Sequence, residues 1–183
     1  MGLEGKTAIV TGGAQGIGKA IAMRLARDGA NIGILDLQQE QAGKTAGEIR
    51  ELGVKAVPLA CDVTDYAKVK TCVAAVKDVC GSIDILINNA GIDISKVFVN
   101  TDESIWNKII DVNYRSFLNT SHVCIPYMIE QKSGNIVSLG SDAGRIGNPG
   151  EVLYCGTKAA IMASSKALAK ELARYNIRVN AVS

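Results

Sequence analysis

The chain has 183 residues, 48% of them hydrophobic, which is enough for one sizeable buried core. Its 20 basic and 18 acidic residues are spread along the whole length and leave a net charge of +2, so the charge pattern argues against nucleic acid or an anionic membrane as a partner. No apolar run approaches the roughly 20 residues of a membrane span, and the N-terminal segment lacks the pattern of a secretion signal. We therefore expect one domain over residues 1–183, in a cytoplasmic protein whose partners are small molecules.

The five cysteines are odd in number, widely spaced and without a C-x-x-C pair, which argues against a disulfide framework and against a zinc site. Free cysteine behaves as a small hydrophobic residue, so we expect reduced thiols that serve packing, and no metal site. The residues are Cys61, Cys72, Cys80, Cys124 and Cys155.

Short apolar runs rich in Val and Ile alternate with longer amphipathic stretches, a pattern typical of repeated βαβ units. The first half is predicted to contain strand Lys6–Thr11, helix Gly16–Asp28, strand Asn31–Asp36, helix Gln39–Leu52, strand Val54–Ala60 and helix Asp65–Val79. The second half is predicted to contain strand Ile83–Asn88, a helical stretch Glu103–Gln131 (two helices or one bent helix), strand Asn135–Gly140, helix Tyr154–Tyr175 and strand Ile177–Val182. We expect all six strands to be buried on both faces.

Right-handed crossovers between such strands give an α/β fold, a three-layer, doubly wound parallel sheet of the Rossmann type. Asp65 and Asp102 precede helical stretches, where a short acidic side chain can accept hydrogen bonds from the free amides of the first turn. Ligands of such sheets bind beyond the carboxyl ends of the strands, so we expect functional residues just after each strand.

A glycine-rich turn, Thr11–Gly18 (TGGAQGIG), joins the first strand to the first helix. Glycine lets the backbone approach a pyrophosphate closely, and the helix N-terminus offers free N–H groups and a positive dipole end. A purely structural turn is the alternative. The strand before it, the helix after it and an acidic residue about 20 positions on favour dinucleotide binding.

That acidic residue is Asp36, at the end of the second predicted strand. A carboxylate there can accept hydrogen bonds from both ribose hydroxyls of the adenosine half and repels a 2′-phosphate, which predicts NAD rather than NADP. The uncharged residues Gly13, Ala14, Gln15 and Leu37 agree with this, because a phosphate would need a cationic partner. The alternative is that Asp36 only begins the next turn.

Tyr154 and Lys158 are four residues apart in a predicted helix, so both lie on one face about one turn apart. An ammonium close to a phenol stabilises the phenolate and makes a tyrosine usable as an acid or base near neutral pH. Ser141 follows the fifth predicted strand, where its hydroxyl could hold a substrate oxygen as charge develops. A structural role is the alternative for each of these residues taken alone.

Together these motifs resemble the short-chain dehydrogenases/reductases in order and spacing, from about residue 6 to the last. The matching motifs are TGGAQGIG at Thr11–Gly18, NNAG at Asn88–Gly91, Asn113 of DVN, Ser141 and the Tyr154-x-x-x-Lys158 pair. The resemblance implies an NAD-dependent oxidoreductase that interconverts a secondary alcohol and a ketone. It further implies that Tyr154 exchanges a proton with the substrate oxygen and that Lys158 supports Tyr154 and holds the nicotinamide ribose. Ser141 would orient the substrate, and Asn113 would position a water in the proton relay.

The same resemblance implies a set of residues that line the cofactor. Asp62 and Val63 correspond to the pair that contacts adenine, and the segment Asn89–Gly91 corresponds to one that lines the cofactor. The implied cofactor-binding residues are Gly12, Gln15, Gly16, Ile17, Gly18, Asp36, Asp62, Val63, Asn89, Ala90, Gly91, Tyr154 and Lys158.

Two segments near the expected site, residues 91–96 and 141–151, more weakly resemble the 2-hydroxycyclohexanecarboxyl-CoA dehydrogenase branch, which oxidises a ring hydroxyl of an acyl-CoA. This implies a CoA thioester contacted by Ser141, Arg145 and Glu151, with Arg145 paired to a CoA phosphate. A merely solvated Arg145 is the alternative. NADP-preferring 3-oxoacyl carrier-protein reductases and dehydrogenases of sugars or cyclic alcohols are equally compatible relatives.

Chains of this family usually continue past the last predicted strand through a Pro-Gly turn, a substrate-covering loop and a seventh strand. We therefore expect a fold that lacks its C-terminal strand and substrate loop, in a chain truncated at that end. A non-catalytic dinucleotide-binding subunit is the alternative function. The resemblance also implies a homodimer or homotetramer in which the helices at Glu103–Gln131 and Tyr154–Tyr175 pair between subunits.

Overall fold

Six parallel strands form one sheet in the computed structural model, which describes residues 2–183. The strands are β1 (Thr7–Thr11), β2 (Asn31–Asp36), β3 (Ala56–Ala60), β4 (Ile85–Asn88), β5 (Gly134–Leu139) and β6 (Ile177–Val182). They lie in the order β3-β2-β1-β4-β5-β6, and every neighbouring pair is parallel. The winding direction reverses between β1 and β4, and such a reversal opens a crevice at the carboxyl ends of these two strands.

The strands are joined by α-helices, as the alternating sequence pattern predicts. The helices are α1 (Gly16–Arg27), α2 (Gln39–Arg50), α3 (Tyr66–Cys80), α4 (Glu103–Ile110), α5 (Ser116–Gln131), α6 (Ala143–Ile146) and α7 (Val152–Leu172). A π turn, Asp111–Arg115, joins α4 to α5, and two 3-10 turns lie at Phe98–Asn100 and Ala173–Tyr175. The short helix α6 has no counterpart among the predicted elements.

The helices form the two outer layers of a three-layer fold, because successive strand residues point to opposite faces of the sheet. Ile9 of β1 packs in the cluster formed with α3, α5 and α7, whereas its neighbours Ala8 and Val10 pack in the cluster formed with α1 and α2. Gly33 of β2 leaves room for α3, since a Cβ there would lie 2.5 Å from a methyl group of Val76. The predicted α/β doubly wound fold is confirmed.

The prediction that all six strands are buried on both faces is wrong for the edge strands β3 and β6, and alternate residues of β5 are only half-buried. Residues 57–59 of β3 are half-buried and Ala60 is exposed, while Arg178 and Asn180 of β6 are exposed. Each of these strands has one neighbour in the described sheet. Pro58 has no N–H to donate, and edge strands are where a sheet tolerates proline.

The helix boundaries agree with most capping and periodicity signals. Asp65 caps α3 by accepting a hydrogen bond from the amide of Lys68, and Asp102 caps α4 by accepting from the amides of Ser104 and Ile105. The predicted stretch Glu103–Gln131 consists of two helices joined by the π turn. The last helix starts at Val152, two residues before the predicted start, so Tyr154 lies in its first turn.

No helix within residues 2–183 is long and apolar enough to cross a membrane. Across the same residues, no group of three or more His, Cys, Asp or Glu side chains is arranged to hold a metal ion.

Candidate active site

A cleft of about 480 Å³ lies at the carboxyl ends of the central strands, at the reversal point between β1 and β4. It brings together residues from four connections that are far apart in the sequence. All predicted cofactor-binding residues except Gly16, Tyr154 and Lys158 line it. Those that line it are Gly12, Gln15, Ile17, Gly18, Asp36, Asp62, Val63, Asn89, Ala90 and Gly91.

The glycine turn is a backbone cradle that side chains would fill. A Cβ on Gly18 would lie 2.1 Å from the carbonyl oxygen of Gly12, and Gly12 itself adopts a φ of 62°. Gly16 begins α1 with a φ of 57°. Gln15 at the N-cap of α1 makes no side-chain capping bond within the described residues, so the first amides of this helix stay available to an anion. These features fit the pyrophosphate of a dinucleotide.

Thr11 and Asn89 tie the turn after β1 to the turn after β4. The Thr11 hydroxyl accepts hydrogen bonds from the amides of Asn89 and Ala90, both at 3.0 Å. The Asn89 side-chain amide donates to the carbonyl oxygens of Thr11 at 2.9 Å and of Gly12 at 3.1 Å. These hydrogen bonds join the two walls of the cleft directly to each other.

Asp36 lies in the cleft wall with 9% of its surface exposed. One carboxylate oxygen accepts from the amide of Ala14 and the other from the amide of Gln38, both at 3.0 Å. Asp36 thus stabilises the glycine turn and the turn that follows β2, as expected from the alternative in which this residue has a structural role in a turn. Each oxygen retains a further lone pair, so this role leaves acceptor capacity for ribose hydroxyls.

The loop after β3 forms another part of the cleft wall. The Asp62 carboxylate accepts from the amide of Thr64 at 2.9 Å and from its hydroxyl at 2.7 Å. Asn119 of α5 fixes the same loop by donating to the carbonyl oxygens of Val63 and Thr64, both at 3.0 Å. The sequence gives no signal for Asn119, because its partner loop is more than 50 residues away.

Lys158 is buried, with 5% of its surface exposed, close to Tyr154 on the same helix. Its ammonium lies 5.6 Å from the centre of the Tyr154 ring and donates to the carbonyl oxygen of Leu139, at the end of β5, at 2.6 Å. Burial lowers the pKa of Lys158 below its ordinary value. A cation this poorly solvated acts more strongly on a neighbouring phenolate than an exposed one would.

Asn113 is buried in the π turn between α4 and α5. Its side-chain oxygen accepts from the amide of Ile92 at 2.7 Å, and its amide group donates to the carbonyl oxygen of Ile92 at 2.9 Å and to the hydroxyl of Thr157 at 3.2 Å. Both amide hydrogens are thus used. Asn113 can therefore take part in a proton relay only by accepting a hydrogen bond, at its side-chain oxygen or at its backbone carbonyl oxygen.

Gly91 is the point where the cleft meets these side chains. A Cβ on Gly91 would lie 3.3 Å from the side-chain oxygen of Asn113 and 3.7 Å from the ammonium of Lys158. Although Lys158 and Tyr154 do not line the cleft themselves, Lys158 therefore lies directly behind one of its lining residues.

The predicted substrate residues Ser141, Arg145 and Glu151 lie in the segment between β5 and α7, which contains α6. The Ser141 hydroxyl accepts from the amide of Ala143 at 3.2 Å, which holds it at the start of α6. Gly144 lets α6 pack directly on α7, since a Cβ there would lie 2.7 Å from the amide nitrogen of Ala159. Arg145 is exposed, pairs with Asp142 and lines a different groove, between α6, α7 and β6. Glu151 accepts from the side-chain amide of Asn148 at 2.9 Å.

All five cysteines are free thiols. Burial raises the pKa of Cys61 and of Cys124 to about 12, and it also raises the pKa of Cys80. Because the thiolate is the reactive form, these three side chains serve packing, in agreement with the prediction from composition.

The sequence profile of the short chain dehydrogenase family matches residues 6–183. The chain is 40% identical over 183 residues to the 3-oxoacyl-[acyl-carrier-protein] reductase FabG of Thermotoga maritima, an alignment that covers 100% of this chain and 74% of that protein. It is 41% identical over 181 residues to the oxidoreductase UcpA of Salmonella typhimurium, covering 98% of this chain and 68% of that protein.

The fold is also similar to solved structures. NAD+-bound xylitol dehydrogenase matches with a TM-score of 0.96 and 36% identity, over 99% of this chain and 70% of that one. Since the family profile covers nearly all of the sequence, the chain belongs to the short-chain dehydrogenase family, whose members bind a nicotinamide dinucleotide, and it is an oxidoreductase.

Proposed function

We propose that the protein is an NAD-dependent oxidoreductase that interconverts a secondary alcohol and a ketone, with residues 1–183 acting as one dinucleotide-binding and catalytic domain. One observation carries this proposal. The buried ammonium of Lys158 lies beside Tyr154 and directly behind Gly91, which lines the cleft that also contains Asp36 and the glycine turn. An acid/base pair and a dinucleotide cradle are thus adjacent.

The choice of NAD rests on charge in the cleft wall. Asp36 brings a carboxylate to the cleft wall, where it would repel a 2′-phosphate, and its neighbours Ala14, Gln15, Leu37 and Gln38 offer no cation. The NAD+ bound to the similar xylitol dehydrogenase structure supports the same choice. A bound NAD would supply the acceptor or donor of a hydride at the reacting carbon.

The residues of this chain would handle the substrate oxygen and its proton. In the oxidative direction the Tyr154 phenolate takes the proton from the alcohol hydroxyl, and in the reductive direction the Tyr154 hydroxyl returns it to the carbonyl oxygen. Lys158 stabilises the phenolate, and its bond to the Leu139 carbonyl fixes the ammonium at that place. The Ser141 hydroxyl holds the substrate oxygen and stabilises the charge that develops on it.

For the substrate we propose a cyclic or hydroxyacyl-CoA alcohol, contacted by Ser141, Arg145 and Glu151. The exposed guanidinium of Arg145 could bind a phosphate, because the ion pair that it would give up is a surface pair with Asp142, which contributes little to stability. A second candidate is an NADP-preferring 3-oxoacyl carrier-protein reductase, which the 40% identity to a protein of that name favours. A non-catalytic dinucleotide-binding subunit is the third.

We further propose a homodimer or homotetramer in the cytoplasm. Self-association is supported by three apolar side chains that are 39–51% exposed. They are Ile110 at the end of α4, Leu118 in the first turn of α5 and Val152 at the start of α7. Sedimentation of the wild type against Leu118→Lys tests this, and a monomeric wild type would contradict it.

The reaction is tested by following NADH formation with a panel of cyclic secondary alcohols and 3-hydroxyacyl-CoA thioesters, beside the reverse assay with the matching ketones. Calorimetric titration with NAD and NADP accompanies each assay. Turnover with NAD supports the leading proposal, and turnover of 3-oxoacyl substrates with NADPH alone favours the second candidate. Tight NAD binding without turnover in either direction would favour the non-catalytic subunit.

A further inference from the structure

The hydroxyl of Thr157 lies on α7 between Tyr154 and Lys158 in the sequence and is buried, with 5% of the residue exposed. It donates a hydrogen bond to the carbonyl oxygen of Tyr154 at 2.9 Å and accepts one from the side-chain amide of Asn113 at 3.2 Å. A single hydroxyl thus joins the π turn to the backbone of the proposed acid/base residue.

This hydroxyl continues a path that begins at the cleft. Ile92 lines the cleft, and its backbone forms two hydrogen bonds with the side chain of Asn113. The side-chain amide of Asn113 in turn donates to the hydroxyl of Thr157. The path therefore runs from the wall of the cleft through the π turn to the first turn of α7. Because the side-chain oxygen and both amide hydrogens of Asn113 are hydrogen-bonded, the orientation of this side chain toward Thr157 is fixed by three bonds.

A second bond joins the π turn to α7 but leads away from the cleft. The hydroxyl of Tyr114 lies 2.8 Å from the hydroxyl of Ser164, nearly two turns beyond Lys158. The same two elements are thus linked twice, once at the acid/base pair and once remote from it. Removing these two bonds one at a time therefore distinguishes the positioning of the acid/base pair from the general attachment of the π turn to α7.

We propose that Thr157 is a positioning residue, which holds Tyr154 and Lys158 in register with Asn113 and with the Gly91–Ile92 wall of the cleft. It touches no substrate. The proposal rests on the proposed function of Tyr154 and Lys158. Without this hydroxyl, the first turn of α7 loses its connection to the cleft wall, and the phenol is less well aligned with the ammonium.

Three variants test the proposal. Thr157→Val keeps the shape and removes the hydroxyl, Thr157→Ser keeps the hydroxyl, and Tyr114→Phe removes the remote bond between the same two elements. We expect kcat to fall about 10- to 100-fold in Thr157→Val, the scale of a small misplacement of catalytic groups, with little change in KM for NAD. Thr157→Ser and Tyr114→Phe should stay near the wild type.

A measurement that needs neither cofactor nor substrate tests the positioning role of Thr157 independently of the proposed reaction. The ultraviolet difference spectrum of phenol ionisation is followed against pH in the ligand-free protein, and subtracting the same titration of Tyr154→Phe isolates Tyr154. In Thr157→Val the Tyr154 signal should develop at higher pH than in the wild type, because the phenolate loses part of its stabilisation by Lys158. Thr157→Ala serves in the same way if the valine variant does not fold.

Two outcomes would overturn the proposal. In one, Thr157→Val matches the wild type in both kcat and the Tyr154 titration. In the other, Thr157→Val and Tyr114→Phe lose kcat and thermal stability in parallel, which would make Thr157 a structural link only. If the wild type turned over no substrate, the proposed function would fail, while an altered Tyr154 titration in Thr157→Val would still support the positioning role.

Discussion

At the scale of single residues, Asp36 performs two tasks with one carboxylate. Its oxygens hold the amides of Ala14 and Gln38, and the same group faces the cleft as a negative charge. Structural and functional interpretations of an acidic residue at a strand end are therefore compatible. A substitution must separate hydrogen bonding from charge to show which one selects the cofactor.

We expect Asp36→Ala and Asp36→Asn both to lose the preference for NAD over NADP, because each removes the charge that repels a 2′-phosphate. A charged hydrogen bond contributes about 1.5–3 kcal/mol, so the ratio of the two affinities should change about 10- to 100-fold. Asp36→Asn keeps a carbonyl oxygen for one of the two amides and should retain more NAD affinity than Asp36→Ala. Calorimetric titrations with both cofactors measure the ratio, and an unchanged ratio in either variant would contradict this role.

At the scale of elements, the central strands β1 and β4 are joined at their amino ends by Asp84. Its carboxylate accepts from the amide of Thr7 at 2.9 Å and from the ammonium of Lys6 at 2.9 Å, and the residue is 7% exposed. Burial alone would raise the pKa of Asp84, but the hydrogen bonds from Ser82, Lys6 and Thr7 outweigh it and hold the pKa below its ordinary value.

A carboxylate whose pKa is lower in the folded than in the unfolded chain stabilises the fold above the unfolded pKa of about 3.9, and this stability is lost as the pH falls through the folded value. Asp84→Asn should therefore lower the free energy of unfolding at pH 7 by about 1–3 kcal/mol. The difference from the wild type should shrink below about pH 4.

Urea unfolding at a series of pH values measures the effect. Asp28→Asn is the control, since Asp28 pairs with Arg24 on the surface and should contribute about 0–1 kcal/mol. A difference between Asp84→Asn and the wild type that stays constant from pH 7 to below pH 4 would contradict the assigned role of the charge.

The helices and strands also show which structural features could be predicted from the sequence. The strand positions, the helix caps at Asp65 and Asp102 and the functional positions after each strand follow from periodicity and local chemistry. The π turn does not, because one extra residue in a turn, here around Asn113, leaves the helical pattern almost unchanged. The carbonyl oxygen of Leu139 as partner of Lys158 also escapes prediction, since every residue carries such an acceptor.

At the scale of the whole molecule, the cleft exists because four connections end at one edge of the sheet. Gly12, Gly18 and Asn89 meet there so closely that backbone and side chain fill the space a Cβ would need. The cradle is a property of the assembled fold, and ligand binding should therefore stabilise the whole fold.

NAD at about 100 times its Kd should raise the free energy of unfolding by about 2.7 kcal/mol. Gly18→Ala should lose this stabilisation, because the added Cβ would collide with the carbonyl oxygen of Gly12. Gly47→Ala in α2, where a Cβ meets open space, should keep it and should itself gain up to about 1 kcal/mol from helix propensity. Thermal unfolding with and without NAD measures both, and equal stabilisation of Gly18→Ala and Gly47→Ala would contradict the site.

The most direct test of the account is the rate of alcohol oxidation by Tyr154→Phe, measured with NAD and the best secondary alcohol from the panel. Tyr66→Phe is the matched control, because it removes a phenol hydroxyl that lies 2.9 Å from the ring of His122, between α3 and α5. We expect kcat to fall about 10²- to 10⁴-fold in Tyr154→Phe, the usual contribution of a general acid/base, while the Tyr66→Phe rate stays unchanged. Full turnover by Tyr154→Phe would contradict the account.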